Sequence, residues 1–371
     1  MTERFGILSA LPMEAAAPRV AHALTQNGAE VCVVAPQDSY VALTKFKKAD
    51  ILMPASQIAG KMPAIATVLA EDFGAHSILA ADIGGFALLA RLVGQLDRLN
   101  LSDATRAMIS RSMPPPGKAI ELISGAAFIV RQDGDLCSPP RSLLNPVADD
   151  AVHFARMAAY PVMLKRDGGS GGAGVTRCNS EAELLCALKQ PHPHAGFVVQ
   201  EFLPGPVYSV ALSGVAGRVA AAFAFEKHVT WGAHGVETVL KYVWRPDILS
   251  HARRLYERYE LNGYCGVDYI ADAEGGAHLL ELNACVVPES HFAGTFGVDL
   301  TASMLALLRN QPIPDAQPPK HEYVALFPQE WQRDPASPFL STAFHDVPWE
   351  DTAVLSALTR GPVGLAERRA A

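Results

Sequence analysis

The chain has 371 residues, of which 49% are hydrophobic and 19% charged. That is enough apolar material for two or three packed domains and too much for a disordered or collagen-like chain. Its net charge of −7 has the wrong sign for a general nucleic-acid binder, whose footprint is basic, and no apolar run is long enough to cross a bilayer.

The first hundred residues read as α/β. Residues 5–10 form a short apolar run, 12–26 an amphipathic helix ending near Gly28, and 31–35 a second apolar run closed by Pro36. Residues 51–53 and 77–81 are further short strands with a helical stretch between them. Alternating strands and helices predict a parallel sheet. No GxGxxG follows the first strand, which argues against a dinucleotide site there. Pro12 and Glu14 interrupt the stretch where a secretory signal would need an apolar core. The six cysteines (Cys32, Cys137, Cys178, Cys186, Cys265, Cys285) form no CxxC pair, so free thiols of a cytoplasmic protein are expected rather than a disulfide framework or a zinc site.

The run Pro114-Pro115-Pro116-Gly117 is the first strong punctuation. Residues 118–132 then read as a helix and 133–146 as a loop. A strand at 161–166 leads into a glycine-rich loop. Ser180 opens a helix with Glu183 three residues on, a capping box. Residues 197–203 form an apolar strand, 208–213 and 218–225 a strand pair, and 246–261 a helix with Ile248, Ala252, Leu255 and Tyr259 at helical spacing. Two strands at 263–271 and 276–283 follow. The last fifty residues read as a C-terminal cap with no evident chemistry.

Three segments carry chemistry. In the loop after Lys165, five of the seven residues 168–174 are glycine. Such a loop is entropically costly to order, a cost that makes sense where backbone N–H groups must cradle phosphate oxygens. Lys165, on the preceding strand, can add a point charge to the same phosphates. A mobile surface loop has the same composition, and no Gly-Lys-Ser/Thr opens a helix as a Walker loop requires.

The second segment is the hairpin at 263–283. A turn centred on Glu274-Gly275 places Asp268 directly opposite Glu281, and period-two alternation puts Asn283 on the same face as Glu281. Two carboxylates facing each other at roughly 5 Å between Cβ atoms repel. A divalent cation between them removes the penalty, and carboxylates with an amide oxygen suit Mg²⁺, with nucleotide phosphates completing its shell. One carboxylate solvated at a sheet edge is the alternative, but Val267, Ile270, Leu279, Leu280 and Leu282 surround both with apolar side chains in sequence. The third segment, FVVQEFLPG at 197–205, ends an apolar strand in a Pro-Gly hinge whose free backbone groups can read an adenine edge, or is ordinary core.

In this order and spacing the segments YPVMLKRDGGSGGAGV (160–175), FVVQEFLPG (197–205) and GYCGVDYIADAEGGAHLLELN (263–283) resemble the ATP-grasp superfamily, over roughly residues 115–310. The resemblance implies an α/β chain, α+β in its central part. An N-terminal Rossmann-like pre-ATP-grasp domain would occupy 1–112, the ATP-grasp domain with nucleotide between two subdomains 113–312, and a small C-terminal extension 313–371. It implies that Lys165 touches the nucleotide phosphates while Gly168, Gly169, Ser170, Gly171, Gly172 and Gly174 fold over them. Backbone groups around Gln200, Glu201 and Leu203 would read the adenine, Lys118 would be a second family lysine, and Asp268, Glu281 and Asn283 would hold one or two Mg²⁺ ions, or Mn²⁺ in their place.

The family mostly activates a carboxylate with ATP to an acyl phosphate that an amine, or less often a thiol, displaces. The implied activity is therefore an ATP- and Mg²⁺-dependent carboxylate–amine ligase releasing ADP and phosphate, cytoplasmic, with small-molecule substrates and no nucleic-acid or membrane partner. A homodimer is the base-rate expectation. The chain departs from the family in three places: Gly205-Pro206-Val207 lacks a ribose-binding Glu, Cys285 stands where many ligases have an Arg, and Gly266 stands where the D-alanine–D-alanine ligase branch has one. The cation for the acyl-phosphate transition state then falls to Arg245, Lys241 or His291, with Lys227 beside them, on sequence proximity alone. Glu289 and His291 either border the acceptor site or are ordinary loop polars. A nucleotide-binding protein without ligase activity, and a carboxylase or phosphotransferase on the same fold, are the alternative readings.

Overall fold

A computed structural model describes residues 2–132, 136–167, 174–191, 196–232 and 235–360. The apolar runs at the N-terminus become β1 (Arg4–Leu8), β2 (Glu30–Pro36), β3 (Ala49–Met53) and β4 (Ser77–Ala80), a parallel sheet in the order β3-β2-β1-β4. Near-continuous hydrophobicity is what a doubly covered sheet requires. Leu8, Cys32, Val34 and Ile78 join one core, while Phe5, Ile7, Val31 and Val33 join the other. The helix Ala16–Gln26 connects β1 to β2 and stops at Asn27-Gly28, where Gly28 takes φ 82°.

A small antiparallel sheet comes next, in the order β5-β8-β6-β7, from β5 (Ser142–Leu144), β6 (Val162–Arg166), β7 (Val175–Cys178) and β8 (Phe197–Glu201). The helices Ala148–Ala158 and Glu181–Lys189 cover it through a compact core of Ala151, Ala155, Val162, Leu164, Leu184 and Val199. Ser180 caps the second helix by accepting from the Glu183 N–H at 3.3 Å. The Glu183 carboxylate reaches one residue beyond the expected capping box, to the N–H of Asn179 at 2.8 Å.

The largest sheet has the order β13-β12-β9-β10-β11-β14-β15. Its strands are β9 (Val207–Val215), β10 (Arg218–Thr230), β11 (Glu237–Tyr242), β12 (Gly263–Ala271), β13 (Ala277–Asn283), β14 (Tyr323–Ala325) and β15 (Phe344–His345). The helix Pro246–Arg258 lies on one face and buries Ile248, Ala252 and Leu255 as its spacing predicts, with Tyr259 buried just past its end. The helix Leu300–Leu308 packs on the other face, beside Ala211 and Phe223.

Two expectations change. The helix expected over 118–132 is two helices, Pro116–Ile123 and Gly125–Val130, broken at Ser124, whose ψ of 85° is not helical. The C-terminal stretch is more than a cap, because β14 pairs with β11 and extends the main sheet. Among the described residues no helix is long and apolar enough to cross a membrane.

Candidate functional site

The hairpin β12–β13 brings its two carboxylates together, by a route the sequence does not show. Next to the turn the register pairs Ala271 with Ala277 and Tyr269 with Leu279, which would set Asp268 against Leu280. A β-bulge between Asp268 and Tyr269 shifts the register by one residue, so Asp268 pairs with Glu281, Val267 with Leu282 and Gly266 with Asn283. The turn itself is held by Asp272, whose Oδ1 accepts from the N–H groups of Glu274 (3.1 Å) and Gly276 (2.7 Å).

Cross-strand neighbours share a face. Glu281, Asp268, Ser209 and Phe225 therefore stand in one row across β13, β12, β9 and β10. Lys227, two residues past Phe225, lies on that face. Its Nζ sits 2.7 Å from Asp268 Oδ2 and 3.4 Å from Glu237 Oε2, and the Ser209 hydroxyl donates to Asp268 Oδ1 at 2.6 Å. Burial alone would lower the Lys227 pKa, but Asp268 and Glu237 outweigh it and hold the ammonium above its ordinary value. Glu281 lies in a concavity: water reaches its side chain, yet protein atoms surround it. That enclosure, and next the facing Asp268, push its pKa up against the pull of Lys227 and Lys165.

Lys165, on β6 of the small sheet, faces this row across the cleft. Desolvation pushes its pKa down to about 8 although Glu281 and Asp268 oppose the change. Gly174 returns from the loop with φ 89°, and its C=O accepts from the Arg166 N–H. The loop residues Gly168, Gly169, Ser170, Gly171 and Gly172 lie outside the described residues.

At the hinge, Gln200 is buried and donates from Nε2 to Ser142 Oγ at 2.8 Å. The Glu201 carboxylate accepts from the Arg141 N–H at 2.8 Å and from its Nε at 2.6 Å. The backbones of both belong to the β5–β8–β6 ladder. Leu203 is different: its backbone N–H and C=O have no hydrogen-bond partner among the described residues.

Four candidates are not brought to this row. Lys118 binds the Arg258 C=O (2.7 Å) and Glu260 (2.6 Å). Glu260 adjoins Gly217 in the β9–β10 turn, six strand residues, or roughly 20 Å, from the Ser209 row. Lys241 pairs with Glu226 in the ladder, on the face opposite Lys227, and lies over the Tyr323 ring. Arg245 stacks over Tyr208 on that same far face, and Asp247 and the Gly275 C=O hold it. Closeness in sequence misleads for both: alternation along β11 sends Lys241 to the far face, and Arg245 stands past the end of that strand, at the start of the helix Pro246–Arg258. His291 sits near the row but turns away, with Nε2 3.3 Å from Asp346 Oδ2, which Arg19 Nη1 approaches at 2.9 Å.

The fold brings in Ser209, Glu237 and Glu14 from the N-terminal module, which the sequence reading did not name for the site, beside Lys227 and Glu289 on the turn Pro288–His291, which it did. Only their meeting on one sheet face marks them out. The structure also gives a reason for the absent arginines: a side chain at Gly266 would begin 2.6 Å from Val287 Cγ1, and Cys285 is buried.

Residues 143–287 match the family model of the ATP-grasp domain, while no curated protein sequence matches the chain. Several solved structures share its fold. The biotin carboxylase domain of the 2-oxoglutarate carboxylase from Hydrogenobacter thermophilus, solved with MgADP, ADP and bicarbonate, is 17% identical with a TM-score of 0.61, over 85% of this chain and 72% of that one. The L-amino acid ligase from Bacillus licheniformis is 13% identical with a TM-score of 0.63, over 85% and 78%. The ATP-bound carboxyaminoimidazole ribonucleotide synthase from Aspergillus clavatus is 11% identical with a TM-score of 0.61, over 84% and 78%.

Proposed function

We propose that this chain, whose residues 143–287 are an ATP-grasp domain, is an ATP- and Mg²⁺-dependent ligase that activates a carboxylate as an acyl phosphate and joins it to an amine, releasing ADP and phosphate. The observation that carries the proposal is the Asp268–Glu281 pair on adjacent strands, with Asn283 alongside and Lys165 facing it from the smaller sheet. Two carboxylates and an amide oxygen are a donor set for a hard cation that keeps its other positions for phosphates. The raised pKa of Glu281 is the penalty such an ion would remove. Bound there, Mg²⁺ would supply charge neutralisation between the phosphates.

The division into 1–112, 113–312 and 313–371 is part of this proposal, with nucleotide between the small sheet and the main one. Lys165 then contributes a point charge at the phosphates, and Leu203 offers its backbone N–H and C=O to the adenine. Lys227 replaces Arg245, Lys241 and His291 as the cation at the reacting end. Positioning and charge suffice for phosphoryl transfer, so no serine or cysteine nucleophile is required. Where the carboxylate is bicarbonate the same chemistry is a carboxylation, the activity named for the carboxylase of like fold.

ADP release is the direct test, measured against a panel of carboxylates, bicarbonate included, and amines. It should require both partners, and Asp268→Ala or Glu281→Ala should abolish it. ATP binding with no turnover across the panel would reduce the chain to a nucleotide-binding protein. ADP release untouched by either substitution would refute the site.

A further inference from the structure

Beside the Asp268–Glu281 pair, around Lys227, further carboxylates gather. Glu289 is 2% exposed, and its Oε1 has no hydrogen-bond partner among the described residues. The charges that act on it most strongly are Glu237, Lys227 and Asp268, so it faces the site row. Glu237 comes from β11 with its side chain 13% exposed. Glu14 reaches toward the same place from the N-terminal module, where its nearest charges include Asp82, Arg19 and Glu237.

Counter-charge is scarce here. Lys227 is already shared between Asp268 and Glu237. Arg19 is committed to Asp346 and to the Phe327 C=O. The two places where an arginine could stand are closed by Val287 and by the buried Cys285. Asp82 is structural: it accepts from the Ser9 hydroxyl and from the N–H groups of Ala10, Leu11 and Gly85. Glu14, Glu237 and Glu289 have no such set of donors. Among the described residues no three His, Cys, Asp or Glu side chains are arranged to hold a metal ion, whereas an ammonium group, with its three diverging donors, can serve carboxylates from three separate elements.

We propose that Glu14, Glu237 and Glu289 form the subsite for the acceptor amine, bound as its ammonium, and that it selects a cationic acceptor such as a diamine over an amino acid whose own carboxylate the cluster would repel. The assignment of an acceptor rests on the ligase reading above. In the reaction the ammonium gives one proton to a carboxylate of this subsite. The freed lone pair forms the C–N bond while the C–O bond to phosphate breaks, and the second N–H proton leaves with the phosphate.

The test is calorimetric titration of the full chain, loaded with Mg²⁺ and a non-hydrolysable ATP analogue, with 1,4-diaminobutane and separately with glutamate. Saturable diamine binding is expected. It should weaken at least tenfold in Glu289→Gln and in Glu14→Gln, with retained binding of the ATP analogue as the check that each variant is folded. Glutamate should bind at least tenfold more weakly than the diamine. No diamine binding by the wild-type chain, equal binding by a folded variant, or preferred binding of glutamate would overturn the subsite. ADP release with a neutral or anionic amine alone would also overturn it and leave the ligase reading standing. Carboxylate-dependent diamine binding with no ADP release from any pair would support the subsite and refute the ligase.

Discussion

Glu14 offers the sharpest test of how the cleft is charged, because its pKa is pushed up to about 7 from an ordinary 4.5. Burial is the main cause, and the Ala16 N–H, which its Oε1 accepts at 3.0 Å, only partly offsets it. A carboxyl whose folded pKa is raised binds its proton more tightly when folded. Its contribution is therefore fully present below pH 4.5 and is lost as the pH climbs through about 7. The difference of about 2.5 pH units at 1.36 kcal/mol each gives an upper bound of about 3.4 kcal/mol. Glu14→Gln keeps the oxygen that accepts from Ala16 and removes the titration. Urea unfolding at pH 4.5 and 8 should show the wild-type chain losing roughly 2–3 kcal/mol more than the variant over that interval. At pH 8 the variant should be the more stable protein. Identical pH dependence in the two chains would refute the reasoning.

Lys227→Met removes the cation that bridges Asp268 and Glu237, both mostly buried, and should cost about 3 kcal/mol in urea unfolding. Millimolar Mg²⁺ should restore more stability to the variant than it adds to the wild type, and an equal gain would count against a cation site at Asp268 and Glu281. Asp346→Asn leaves Arg19, 5% exposed, without its anion. A loss of about 3 kcal/mol is expected, and a loss below 1 kcal/mol would show that the pair holds little. Gly266→Ala places a Cβ 2.6 Å from Val287 Cγ1 and should cost about 1–3 kcal/mol. Val287→Ala in the same chain should recover most of that by thermal denaturation, and no recovery would locate the strain elsewhere.

Local chemistry was legible in the sequence; the sidedness of the sheet was not. The Ser180 cap and the apolar stripe of Ile248, Ala252 and Leu255 depend on residues close in the chain. So does the hairpin, although its pairing emerges from two compensating features. The turn spans Asp272–Gly276 rather than centring on Glu274-Gly275, and the bulge beyond Tyr269 restores the register that sets Asp268 against Glu281. Without the bulge the acid pair would not exist. Arg245 and Lys241 lie close in sequence to the site strands yet on the far face, and Lys118 belongs to the other end of β9. Glu14 is the reverse case, more than 200 positions from Glu237 in the chain but within reach of its charge. The helix Leu300–Leu308 buries Thr301 and Ser303 along with its apolar residues, so it has no polar stripe to give a periodic signal.

Stability and binding separate the two roles a buried acid can have. Glu330 illustrates the structural role: its carboxylate takes both Arg333 nitrogens, and these contacts hold its pKa down against burial, so neutralising it must weaken the fold. Glu14 and Glu289 are pushed the other way, chiefly by burial, and when ionised, as Glu14 is at pH 8, they lack a matching donor set. Neutralising them should therefore strengthen the empty protein and weaken its hold on a cation. Opposite signs in those two measurements are what a pre-formed ligand site requires, since binding energy must come from groups the folded chain leaves uncompensated. Loss of stability and loss of binding together, in both glutamine variants, would make these carboxylates parts of the scaffold, and the acidic end of the cleft would then say nothing about the substrate.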